Sequence, residues 1–118
     1  MILARLQVEK GELRPALDTL QYSLPFAANR ADYQAFLAAL LQRDKRHKEA
    51  ADHYLIALRV APQNGPQAGL WWMGLGISLQ AENRVAEAQD AYSRAKASNT
   101  LSAELQSYVD QKLSQLPR

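Results

Sequence analysis

Leu70-Trp71-Trp72-Met73-Gly74-Leu75-Gly76-Ile77-Ser78-Leu79-Gln80, with Ala88, Tyr92 and Ala95 downstream, is the stretch on which the fold turns. Trp72, Leu75 and Leu79 recur at helical spacing, with a small residue at Gly76 beside them. The same pattern stands earlier in the chain: Leu37, Ala38, Leu41, Ala50, Tyr54 and Ala57 align with Leu75, Gly76, Leu79, Ala88, Tyr92 and Ala95. Only Ala38 against Gly76 differs, small for small. It stands once more near the start, where Leu37 falls on Leu3, Ala38 on Ala4, Ala50 on Ala16 and Leu58 on Leu24, with Tyr54 on Leu20. A repeat that keeps small residues small and large ones large is a packing pattern.

Each unit reads as two helices. Asp32 to Arg43 carries Tyr33, Phe36, Leu37, Leu40 and Leu41 on one stripe. A charged turn, Asp44-Lys45-Arg46, precedes a second helix from His47 to Val60, which Pro62 stops. The third unit runs Leu70 to Gln80, turns at Glu82-Asn83, and continues from Val85 to Ala97. The first runs Ile2 to Glu9, turns at Gly11, and continues from Leu13 to Leu24; Pro15 suits the first turn of that helix. Leu101 to Leu116 forms one amphipathic helix, the polar-faced cap that stacked repeats need. The expectation is seven helices in one domain, 1–118, with units at about 1–28, 31–64 and 69–100 and a cap at 101–116. Small residues at Ala38, Gly76, Ala50 and Ala88 should let paired helices approach closely, with an aromatic covering the gap.

Composition agrees. Ala and Leu supply 38 of 118 residues, and Val, Ile and Thr only nine, which favours helix over strand. A formal charge of +2 implies no nucleic-acid partner. With no Cys, disulfides and thiolate chemistry are excluded. The longest apolar run, Ala68 to Leu79, is too short to span a bilayer, and the first residues are no signal peptide. Any membrane anchor is therefore expected outside this segment.

The pattern Trp72, Leu75-Gly76, Leu79, Ala88, Tyr92, Ala95 resembles the tetratricopeptide repeat, a helix–turn–helix unit of about 34 residues. The second unit matches through Leu37-Ala38, Leu41, Ala50, Tyr54, Ala57 and Pro62. It departs at Gln34, where the family carries Trp, and the third unit ends in Thr100 instead of Pro. The resemblance implies an all-α solenoid. It also implies that Trp72, at the family's core position, is more buried than Trp71. A narrower likeness joins Ala31 to His47, Pro62-Gln63-Asn64, Trp71 to Leu79 and Leu101 to Leu113. These stretches resemble the C-terminal repeat region of MshN-type proteins, which serve assembly of the mannose-sensitive haemagglutinin pilus, a type IV pilus. That likeness implies a fragment of a longer chain, anchored at the periplasmic face of the inner membrane. A cytoplasmic location is the alternative.

Catalytic and metal chemistry find no support. His47 and His53 lie on opposite sides of one helix and cannot share a metal from one face. No Ser sits in a nucleophile elbow, and Gly74-Leu75-Gly76 lies inside a helix with no phosphate-loop Lys after it. Neither a cofactor nor a metal is expected. The run Arg43 to Glu49 reads as a solvated turn, or else as a basic patch for an acidic partner or lipid head groups.

The family register places the first helix of each unit along a concave groove. Here it holds Asp32, Ala35, Phe36, Ala39, Gln42 and Arg43, then Leu70, Met73, Gly74, Ile77 and Gln80. Phe36, Leu70, Met73 and Ile77 exceed what the helix-pair core needs, so they mark an interaction surface. On that reading a charge placed at Met73 or Ile77 should leave the helices intact. The competing reading packs some of these residues against a neighbouring unit, or against an N-terminal part outside this segment. The family's carboxylate-gripping positions carry Ala35, Ala39, Met73 and Ile77, so an apolar helix or segment is the expected ligand. The candidate groove is Phe36, Ala39, Arg43, Leu70, Met73 and Ile77. Its expected partner is a protein, either a pilus or secretion component or another copy of the chain.

Overall fold

Local turn chemistry sets the architecture. The computed structural model describes residues 4–5, 11, 13–27, 30–61 and 65–116. Within it run α1 (Leu13–Ala27), α2 (Ala31–Arg43), α3 (His47–Val60), α4 (Ala68–Ala81), α5 (Val85–Ala97) and α6 (Ala103–Gln115). The expected first helix, Ile2 to Glu9, lies outside the described residues except for Ala4 and Arg5, which are helical; Pro62 also lies outside them. α2 packs on α3 and α4 on α5 as antiparallel pairs. α1 packs on α2, α3 on α4, and α6 on α5. The result is the all-α solenoid expected from the repeat, with α1 extending past Leu24 to Ala27.

The two described helix hairpins are built alike. After α2, the Arg46 N–H donates to the Leu41 carbonyl at 2.8 Å and Lys45 N–H to Gln42 at 3.0 Å. After α4, Arg84 donates to Leu79 at 2.9 Å and Asn83 to Gln80 at 2.9 Å. Both are Schellman closures, which need one left-handed residue. Lys45 (φ 62°) and Asn83 (φ 62°) supply it, and Gly11 (φ 78°) holds the matching place in the first unit. Arg46 and Arg84 then each grip a Glu one helical turn on, Glu49 and Glu87. Lysine is the poorest of the three turn residues, because its Cβ crowds the backbone at positive φ. Lys45→Gly is therefore expected to stabilise the fold by about 0.5–1 kcal/mol. Urea denaturation would show it, and a loss of stability would mean that Lys45 makes contacts its exposure does not suggest.

The core forms where small residues let helices meet. Ala38, Ala50, Ala57, Ala88 and Ala95 are all fully buried. A Cβ added at Gly76 would lie 2.8 Å from the Tyr92 ring, and one at Gly74 would lie 2.5 Å from Tyr54. Each aromatic therefore rests on a glycine, Tyr92 within its own unit and Tyr54 on the following one. Replacing Ala50 or Ala88 by Leu overpacks these contacts and should cost about 1–3 kcal/mol in thermal or denaturant unfolding. A loss of a few tenths for both would place the helix contact elsewhere.

Two departures from the family pattern have local causes. Gln34, in the place of a family Trp, is buried and accepts a hydrogen bond from His53 Nδ1 at 2.6 Å. Thr100, in the place of a terminal Pro, accepts the otherwise orphaned Gly69 N–H at the start of α4 at 3.1 Å. α6 is capped by Ser102, whose hydroxyl accepts from Leu105 N–H at 3.3 Å, and it buries Val109 completely.

One expectation is reversed. Trp71 is 8% exposed, while Trp72 is only half-buried. Leu75 and Leu79 remain buried, so the phase of α4 is as expected. The order changes because of what stands opposite each ring. Trp71 faces the α3–α4 connection at Ala61 and Pro66. Trp72 opens onto a crevice beside α5, with the Arg94 guanidinium 5.1 Å from its ring centre.

Candidate functional site

α2 and α4 lie side by side, and between them runs a groove of about 380 Å³. Gln42 sets their spacing: its side-chain amide donates to the Gly74 carbonyl at 2.9 Å and to Ser78 Oγ at 2.8 Å. Gln42 thus acts as a structural tie at one end of the groove. Phe36 and Ala39 from α2 and Leu70, Met73 and Ile77 from α4 all line the groove. Arg43 does not. It is exposed at the last turn of α2, beyond Gln42. Gln80 also lies outside the lining; its Oε1 accepts from the Tyr92 hydroxyl at 3.0 Å.

The surplus of apolar residues is smaller than the sequence suggested. Met73 is 8% exposed and belongs to the main core, so the expectation that a charge there spares the helices is corrected: a charge at Met73 would lie in that core. Phe36 and Ile77 are half-buried, and Leu70 is 47% exposed. Leu70 and Ile77 therefore offer apolar surface at the least structural cost.

Four lining residues escaped the sequence reading: Arg5, Tyr54, Gln67 and Trp71. Arg5 could have been found, since the alignment that sets Leu3 against Leu37 also sets Arg5 against Ala39, at one repeat position. Its guanidinium lies 5.3 Å from the Phe36 ring centre. Tyr54 reaches the groove because Gly74 carries no side chain to cover it, and burial pushes its hydroxyl pKa up to about 12. The single carboxylate of the lining, Asp32, pairs with Arg30 at 3.3 Å. Among the described residues no acid–base pair faces the groove, and no three His, Cys, Asp or Glu side chains cluster to hold a metal ion.

One cation of the basic turn, Arg46, is paired within it, while Asp44 takes its partner from outside the turn. Arg46 binds Glu49 at 2.7 Å, and Asp44 receives Arg14 at 3.6 Å. The His47 Nδ1 is buried without a partner. Burial holds the His53 imidazole below its ordinary pKa, against the opposing pull of Asp52 and Glu49. The folded chain therefore takes up this proton at lower pH than the unfolded chain does. That contribution to stability is complete above the ordinary histidine value of about 6.5 and is lost as pH falls through the folded value. Stability should decline as pH falls below the ordinary histidine value of about 6.5, and His53→Gln should flatten the decline. An unchanged slope would assign the pH dependence to other groups.

Helix pairs stacked in this way form the tetratricopeptide-repeat fold. The chain superposes on the type III secretion chaperone SycD of Yersinia enterocolitica, whose structure contains a peptide of the translocator YopD. The TM-score is 0.81 at 18% identity, covering 95% of this chain and 85% of that one. It also superposes on the TPR domain of Sgt2 from Aspergillus fumigatus, with a TM-score of 0.74 at 20% identity, covering 95% of this chain and 75% of the other. No family pattern matches the sequence, and no curated protein matches it.

Proposed function

We propose that this chain is a non-catalytic protein–protein interaction scaffold whose concave groove takes an apolar helix or segment of a partner. The observation that carries this reading is the open groove itself. It is floored by Phe36, Met73 and Ile77 and edged by the exposed Leu70. The SycD likeness supports it, since that chaperone's structure contains a peptide of its partner. The particular setting proposed is type IV pilus biogenesis of the mannose-sensitive haemagglutinin kind. The partner is then a pilus or secretion assembly component, and an anchor outside this segment holds the domain at the periplasmic face of the inner membrane. That setting rests on the resemblance of Trp71 to Gly76 and its flanking stretches to MshN-type proteins. Among the described residues no helix is long and apolar enough to cross a membrane. The other reading, a general repeat adaptor or a self-associating module, uses the same groove.

Leu70→Glu and Ile77→Lys test the groove. Both should keep the helical circular dichroism, since neither side chain is fully buried. Each should weaken the complex with a partner recovered from type IV-piliated cells by about 1–3 kcal/mol, by placing an unpaired charge against apolar surface. Folded variants that bind with unchanged affinity would move the interface elsewhere.

A further inference from the structure

A second opening lies on the other side of α4. At about 100° per residue, Trp72, Leu75 and Leu79 point roughly opposite to Leu70, Met73 and Ile77. With Leu55 of α3 they floor a crevice of about 500 Å³, larger than the groove, walled by Glu87, Asp90, Ala91 and Arg94 of α5. The sequence explains why it is open. In the alignment that sets Leu37 against Leu75, Gln34 corresponds to Trp72 and His53 to Ala91. In the second unit the imidazole and the amide meet at 2.6 Å. In the third, Ala91 has no side chain to reach over the larger indole, so the ring is left uncovered.

Arg94 occupies that place in the free protein. Its guanidinium stacks on Trp72 and pairs with Asp90 at 3.0 Å, yet the Arg94 and Asp90 side chains are 54% and 63% exposed. Exposed ion pairs contribute little stability, and so does an exposed cation–π contact, so this cover is easily displaced. The neighbouring Arg84 is committed to Glu87 through two hydrogen bonds. When Arg94 swings away, Asp90 is left without a cation, beside an indole face and an aliphatic floor.

We propose that the crevice over Trp72 is a docking site on the face opposite the groove, for a protein segment that carries an arginine next to aliphatic side chains. The incoming guanidinium takes the position of Arg94 on the indole and pairs with Asp90, while a neighbouring Leu fills the space toward Leu55 and Leu79. This site is independent of the groove reading, because the two openings share no lining residue.

The test titrates the whole chain with acetyl-Leu-Leu-Arg-Leu-amide and with its Glu counterpart, following amide and indole N–H signals by NMR. The Arg peptide should give saturable shifts at the Trp72 indole and along residues 86–94, and the Glu peptide none. Arg94→Ala should tighten the Arg peptide about three- to ten-fold. In that background, Asp90→Asn should weaken it about two- to five-fold. Signal dispersion verifies folding in the same spectra, and the comparison of the two peptides needs no variant. Equal shifts with both peptides, no gain from Arg94→Ala, or shifts confined to Phe36, Leu70 and Ile77 would overturn the proposal. The last result would leave the groove reading standing.

Discussion

Trp71→Ala is expected to destabilise the fold by about 3–5 kcal/mol, and Trp72→Ala by distinctly less. The indole of Trp71 is 8% exposed, between the groove and the slot formed by Ala61, Pro66 and Ala68. Its removal leaves a cavity that two different elements would have to close. Trp72 already stands at an open crevice, so water and Arg94 can fill part of what it vacates. Urea denaturation of the two variants gives the order. Fluorescence quenching gives it independently: the variant that retains only Trp72 should be the more readily quenched. Equal losses, or a larger loss at Trp72, would show the indole of Trp72 to be the true core residue.

Tyr92→Ala should cost a similar amount, about 3–5 kcal/mol. Its ring is fully buried, its hydroxyl donates to Gln80, and its face rests on Gly76 with no room for a Cβ. Gly76→Ala alone gains roughly 1 kcal/mol of helix propensity but overpacks the ring at a cost of about 1–3 kcal/mol. In the double variant the added methyl enters the space the ring has left. A double-mutant cycle should therefore show coupling of about 0.5–3 kcal/mol. Strictly additive losses would mean that glycine and ring do not depend on each other.

The helices of the second and third units were legible because each is written twice. Ala50, Tyr54 and Ala57 state a buried face, and Ala88, Tyr92 and Ala95 restate it, so tertiary packing and local propensity agree. His47–Val60 and Val85–Ala97 match the reading to the residue. The order of Trp71 and Trp72 was not legible, because helical phase tells which way a side chain points and not what stands opposite. Ala91, in the place of His53, is what uncovers Trp72, and that comparison needs the third dimension to acquire meaning. Met73 escaped for a similar reason: it points toward the groove, but the helices close far enough over it to bury it. Five of the six candidate groove residues do line one groove. Arg43 falls outside, exposed at the last turn of α2, while Gln42 before it both lines the groove and ties α2 to α4. Arg5 was missed because the first unit was aligned through its packing positions, Leu3, Ala4, Ala16, Leu20 and Leu24, and its groove-facing positions were not read.

The groove's role is tested most directly by placing a photo-activated cross-linking residue at Leu70, and separately at Asp90 on the far side, in cells that assemble type IV pili. With the groove as the interface, position 70 yields an adduct to a pilus-assembly component, and Ile77→Lys on the same chain abolishes it. No adduct from position 70, or one that survives Ile77→Lys unchanged, would contradict a partner held between α2 and α4.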